Sequence, residues 1–145
     1  MELVKAMKIL LVGEDKRLFK EVICCLTFIT SEISIISVAD GLAAIQMVQR
    51  ASPDLVILDS VLPDMAISDL LKKIHDFSED PLFVICRIDA GLQASEVLEA
   101  GADEYVTETL TSREFITKVR ALLGRIERMG LHASYRIDTG LGMKQ

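Results

Sequence analysis

Along this chain, short unbroken aliphatic runs that end on polar residues alternate with longer stretches in which apolar residues recur at every third or fourth position. The first run, Lys8-Ile-Leu-Leu-Val12, stops at Gly13-Glu14-Asp15. A run without polar alternation is the pattern of a strand covered on both faces. From Lys16 to Ile29, residues Leu18, Phe19, Val22, Ile23, Leu26 and Ile29 keep helical spacing and predict an amphipathic helix. Ser34 to Val38 reads as a second strand, and Asp40-Gly41 turns into a helix carrying Leu42, Ala43, Ile45, Met47 and Val48. Pro53 stops that helix and opens a third strand, Leu55 to Leu58, which runs straight into Asp59. Leu62-Pro63-Asp64 is a loop, Ile67 to Ile74 is helical, and Pro81 precedes a fourth strand, Leu82 to Ile85. Ala94, Val97, Leu98 and Ala100 form one face of a short helix closed by Gly101. Glu104 to Val106 is a brief fifth strand. Thr111 or Ser112 is the N-cap, with Glu114 in the first turn, of a last helix bearing Phe115, Ile116, Val119, Leu122 and Leu123.

Strands that alternate with helices in this way specify a parallel sheet with helices on both faces. Right-handed crossovers make it a three-layer doubly wound α/β fold. The segments Leu92 to Leu98 and Phe115 to Leu123 carry more aliphatic surface than one side of a helix can bury, so part of it is expected to form a partner surface. After Gly124 the periodicity thins. Residues 125–130 can extend the last helix, and 131–145 read as a linker or the opening of a neighbouring domain. The expected division is therefore a domain over 1–124 followed by a helical linker, or the start of a truncated output domain, over 125–145.

The 145 residues amount to one ordinary domain, half of them hydrophobic and only 5% aromatic. Sixteen Lys and Arg against twenty-two Asp and Glu give a net charge of −6, which repels a phosphate backbone and argues against direct nucleic-acid binding. The longest apolar stretch, Val22 to Thr30, falls short of the roughly 20 residues a bilayer needs. Cys24 and Cys25 are neighbours that close only a strained ring, and no Cys has metal-ligand spacing to another Cys, His75 or His132. These features point to a cytoplasmic protein in a reducing compartment.

In an open parallel sheet, sites form beyond the carboxyl ends of the strands, where the strand order reverses. Here Glu14 and Asp15 follow the first strand, Asp59 ends the third, Cys86 and Arg87 end the fourth, and Glu108 follows the fifth. Glu14 and Asp59, with Asp15 nearby and a backbone carbonyl such as that of Val61, form a candidate oxygen shell for a hard divalent cation, magnesium above all. Cys86 reads as a small buried packing residue rather than a nucleophile. No glycine-rich phosphate loop follows the first strand.

The segment VILDSVLPDM resembles the phosphoacceptor strand and loop of bacterial response-regulator receiver domains of the chemotaxis-regulator-like kind, with Pro63 four positions after Asp59. KILLVGED from Lys8 to Asp15, GADEYVTE from Gly101 to Glu108, and the spacing of Asp59, Cys86 and Glu108 align with the same family over roughly residues 7 to 124. The resemblance implies a flavodoxin-like strand order 2-1-3-4-5. It implies that Asp59 takes phosphate from a phosphohistidine or a small phosphodonor, that magnesium assists, and that Tyr105 is the aromatic switch. It also implies that the face of the fourth helix, fifth strand and fifth helix meets partners.

This chain departs from the family pattern at the site. The acidic pair after the first strand is represented by Gly13 and Glu14; Cys86 stands for Ser or Thr, Glu108 for Lys, and Thr109 for the Pro that usually follows that Lys. A negative charge in place of a positive one beside an incoming phosphate reverses a contact worth several kcal/mol in a partly desolvated site. Arg87 is read either as a stand-in for the absent lysine, facing the phosphate, or as a solvent-facing side chain. The expectation is a non-enzymatic signalling domain with weakened phosphoacceptor chemistry and magnesium bound weakly or not at all. Its expected partners are a histidine kinase or phosphotransfer protein, an attached or separate output module, and a second copy of itself in a homodimer. The alternatives are a fully phosphorylatable phosphorelay receiver and a small flavodoxin-like enzyme or cofactor binder.

Overall fold

The computed structural model describes residues 6–88, 91–92, 94–108 and 111–129. Five strands lie in one parallel sheet: β1 (Met7–Val12), β2 (Ile33–Val38), β3 (Leu55–Asp59), β4 (Leu82–Cys86) and β5 (Glu104–Thr107), in the order β2-β1-β3-β4-β5. Helices α1 (Lys16–Ile29), α2 (Gly41–Ala51), α3 (Ile67–His75), α4 (Ala94–Ala100) and α5 (Ser112–Met129) connect and follow them. The doubly wound α/β architecture and the order 2-1-3-4-5 expected from the sequence are therefore present.

The aliphatic runs explain why the sheet is central. β3 and β4 are buried at every position, and successive side chains point to opposite faces. Ile9, Leu11, Ile57, Phe83, Ile85 and Val106 pack against α1 and α5 through Phe19, Val22, Leu26, Phe115, Val119 and Leu122. The rings of Phe83 and Phe115 meet edge to face at 5.3 Å between centroids. On the opposite face, Leu10, Val12, Val56, Leu58, Val84 and Cys86 pack against α2, α3 and α4.

The helix termini follow the polar residues read from the sequence. Asp15 Oδ1 accepts from the Leu18 amide and Asp40 Oδ1 from the Ala43 amide. At α5, Thr111 is the cap: its Oγ1 accepts from the Glu114 amide, and Glu114 Oε1 accepts from the Thr111 amide, a reciprocal capping box. Gly101, at φ 124°, closes α4 with its amide on the Leu98 carbonyl and the Ala102 amide on the Val97 carbonyl. α5 continues through Gly124 to Met129.

One expectation about surface is corrected. Phe115, Val119, Leu122 and Leu123 are all buried against the sheet, so the apolar side of α5 is used by the core. Leu98 on α4, within the expected Leu92 to Leu98 segment, is exposed, as are Ile88, which follows β4, and Leu42 and Val61. Thr109 and the stretch 130–145, including His132 and the remainder of the expected linker, lie outside the described residues.

Candidate functional site

The carboxyl ends of β1, β3, β4 and β5 converge on one side chain. Arg87, the residue after β4, donates from Nη2 to Asp15 Oδ2 at 2.8 Å, from Nη1 to Asp59 Oδ2 at 2.9 Å and from Nε to Glu108 Oε1 at 3.2 Å. Asp59 is 3% exposed, whereas the Asp15 and Glu108 side chains are about a third exposed. Arg87 is not the solvent-facing residue that one reading of the sequence allowed; it is the centre of the crevice, with a side chain 24% exposed.

Backbone groups hold the arrangement. Asp59 Oδ1 accepts from the Val61 amide at 3.0 Å. The Arg87 amide donates to Ser60 Oγ at 2.9 Å, and the Ile88 amide donates to Glu108 Oε1 at 2.8 Å. Burial pushes the Asp59 carboxyl up from its ordinary range, against the opposing pull of the Val61 amide and the Arg87 charge. The Leu18 amide, followed by the hydrogen bond from Arg87, draws the Asp15 carboxyl down. The Cys86 thiol is pushed up by burial, and its side chain packs in the core with Val84 and Val97, as a small packing residue would.

The loop after β3 is anchored on its far side. Asp64 Oδ1 and Oδ2 accept from the amides of Gly41 and Leu42, at 2.8 and 3.0 Å, so a second carboxylate joins Asp40 at the α2 N-terminus. Met65 fills the space over Gly41, where a Cβ would meet its sulfur at 2.6 Å.

The structure does not gather the expected metal ligands. Asp15 and Asp59 face each other across the guanidinium, whereas Glu14 is exposed and lines, together with Asp15, Phe19, Ile23 and Val38, a hollow beside α1. At this turn Gly13, at φ 149°, donates its amide to the Val38 carbonyl. Val61 meets Asp59 through its amide hydrogen. Magnesium requires about six oxygens at about 2.0–2.1 Å, and nitrogen atoms of Arg87 stand between the two aspartates. Among the described residues, no group of three or more His, Cys, Asp or Glu is arranged to hold a metal ion. These residues do not fit the ion.

Gly13 explains why no carboxylate stands at that position. A Cβ there would lie 2.8 Å from the Cβ of Asp59, in a backbone conformation that L residues rarely adopt. Gly13→Ala is therefore expected to lower stability by about 1–2 kcal/mol, measured by urea unfolding, and to shift the Asp59 amide resonance. Wild-type stability in that variant would show that the backbone at Gly13 relaxes freely.

Sequence reasoning missed one participant: Ser60, 7% exposed, accepts from the Arg87 amide. Asp15, read from the sequence as a possible metal ligand, is instead an ion-pair partner of Arg87 and the cap of α1. The available signal was an arginine at the end of a strand facing acidic residues on three neighbouring strand ends.

Comparison with known proteins identifies the family and the fold. Residues 9–120 match the family model for the response regulator receiver domain. Sensory transduction protein RegX3 of Mycobacterium bovis is 39% identical over 88 residues, 61% of this chain and 39% of the relative. Response regulator MprA of Mycobacterium leprae is 28% identical over 120 residues, 82% of this chain and 52% of the relative. The chain thus spans about two fifths to half the length of these curated relatives. Among solved structures, a two-component response regulator from Clostridium difficile superposes with a TM-score of 0.73 at 27% identity, covering 83% of this chain and 98% of the other. A CheY-like receiver domain protein from Methanospirillum hungatei has the same fold, with a TM-score of 0.76 at 22% identity over 87% of this chain and 100% of the other. With the 2-1-3-4-5 sheet and a buried aspartate at the end of β3, this chain belongs to the response regulator receiver domain family of two-component signal transduction.

Proposed function

We propose that this receiver domain has weakened phosphoacceptor chemistry at Asp59 and regulates an output module or separate partner through the face of α4, β5 and α5. The observation that carries the reading is the Arg87 to Asp59 ion pair at 2.9 Å. Attack on phosphorus needs a free carboxylate oxygen and cations to screen the incoming phosphoryl oxygens. Asp59 Oδ2 is engaged by Arg87, Oδ1 by the Val61 amide, and three carboxylates surround a single guanidinium. The crevice therefore keeps an excess of negative charge toward a phosphodonor.

A histidine kinase or phosphotransfer protein is the phosphodonor class for this reading. The proposed partner face is supported by Leu98 on α4, 44% exposed, and by half-buried Tyr105 on β5. Lys118 Nζ sits 5.7 Å from the Tyr105 ring centre and 3.3 Å from Glu104 Oε1, so β5 and α5 together present charge and aromatic surface on this face. Among the described residues, no helix is long and apolar enough to cross a membrane.

Acetyl phosphate is expected to label the protein slowly or not at all, with any label absent from Asp59→Asn. Intact-protein mass spectrometry measures both. Rapid stoichiometric labelling of the unaltered chain would favour the fully phosphorylatable alternative.

A further inference from the structure

A guanidinium has a fixed fan of N–H donors, and in Arg87 three directions of that fan are used on three different strand ends. Asp15 follows β1, Asp59 ends β3, Glu108 follows β5, and Arg87 itself follows β4. One side chain thus ties together the carboxyl ends of four adjacent strands. Its Nη atoms lie 2.8 and 2.9 Å from the two aspartate oxygens that face each other. An ion binding both oxygens must first displace the guanidinium, and a second cation left beside it would meet a like charge.

The link continues past the crevice. Glu108 Oε1 accepts from both Arg87 Nε and the Ile88 amide, and the Glu108 amide donates to the Cys86 carbonyl at 3.0 Å. Asp59 is therefore connected, through Arg87 and Glu108, to the backbone that carries exposed Ile88.

We propose that Arg87 is the resident cation of this domain: its guanidinium takes the charge-balancing place between Asp15 and Asp59, and its grip on Glu108 makes the connection from Asp59 to the segment after β4 permanent. The proposal rests on reading Asp59 as the phosphoacceptor position and adds how that site is regulated. The connection needs neither a divalent ion nor a phosphoryl group, so the domain rests in one arrangement until a partner or an altered charge breaks the clasp. Removal of the guanidinium leaves Asp15, Asp59 and Glu108 without their shared counter-ion, and the crevice becomes a cation site.

Magnesium titration of the unaltered protein and of Arg87→Ser tests this, followed by NMR at the amides of Asp59, Val61 and Ile88 and, in the unaltered protein, at the Arg87 Nε–H. The expected result is that millimolar magnesium leaves the unaltered protein's signals in place, whereas Arg87→Ser binds magnesium at least about tenfold more tightly. The Ile88 amide should also exchange with solvent faster in the variant. Magnesium binding by the unaltered protein with loss of the Arg87 Nε–H signal would overturn the proposal, as would equal affinity in the two proteins. If Arg87→Ser fails to fold, the unaltered protein decides alone, because magnesium either displaces the guanidinium or does not. Labelling of Asp59 by acetyl phosphate is scored separately. Tight magnesium binding therefore defeats the resident cation without bearing on Asp59 as acceptor, and label that persists in Asp59→Asn defeats the acceptor reading without bearing on the cation.

Discussion

Replacement of Arg87 by alanine is expected to destabilise the folded domain by about 1–3 kcal/mol near neutral pH, read from urea midpoints. Removal of one partner of a sealed ion pair costs about 3–5 kcal/mol, because the remaining charge stays buried. Asp59 is 3% exposed and fits that description. Arg87 keeps 24% of its side chain exposed, so water enters behind the shortened residue and reduces the loss. The pair with Asp15, whose side chain is 32% exposed, adds little.

The pH dependence separates charge from packing. Burial already holds the Asp59 carboxyl above its ordinary range, and without the Arg87 charge it rises further. A carboxyl whose folded-state value exceeds its unfolded-state value weakens the fold at pH above the folded value. The penalty fades as pH falls through the folded value toward the unfolded one. Asp15 behaves in the opposite sense: its lowered carboxyl contributes stability above the unfolded value, and that contribution disappears as pH falls through the folded value. Alanine at 87 removes part of the Asp15 contribution and enlarges the Asp59 penalty, so the deficit of the variant should narrow on acidification. A deficit unchanged from about pH 7 to about pH 4 would assign the loss to packing of the arginine stem.

Glu108→Lys is expected to speed acetyl phosphate labelling of Asp59 by about tenfold, the equivalent of about 1.4 kcal/mol in the barrier. The exchange replaces a negative charge with a positive one beside the incoming phosphate and releases Arg87 Nε from its carboxylate. Because the Glu108 side chain is 32% exposed, solvent screens the change, which holds the expectation well below the hundredfold or greater effect of a desolvated donor. An unchanged labelling rate would place the block on the Arg87 to Asp59 contact alone.

The fold was legible because its strands are covered on both faces. Unbroken runs such as Leu55 to Leu58 and Leu82 to Ile85 leave little choice of environment, and Asp40, Thr111 and Gly101 marked helix ends through local hydrogen bonding and backbone preference. The site was legible in its list of strand-end residues but not in their contacts. Glu14 and Asp15 are sequence neighbours; that Asp15 both caps α1 and reaches Arg87 leaves no periodic trace. The direction of the long Arg87 side chain depends on carboxylates 28 and 72 residues away in the sequence. Of the surplus apolar surface expected on α4 and α5, the α5 share was misplaced because helical spacing does not reveal how deeply a helix is sunk between its neighbours.

The shared arginine also governs how substitutions combine. Changes at Asp15, Asp59, Arg87 and Glu108 draw on the same set of hydrogen bonds, so their energies should not sum. In an Asp59→Asn background the loss of Arg87 should cost much less, because no buried charge is stranded. For the same reason, restoring a single position to the charge usual in the family breaks contacts held by the other positions, so a gradual return toward ordinary receiver chemistry passes through intermediates less stable than either end.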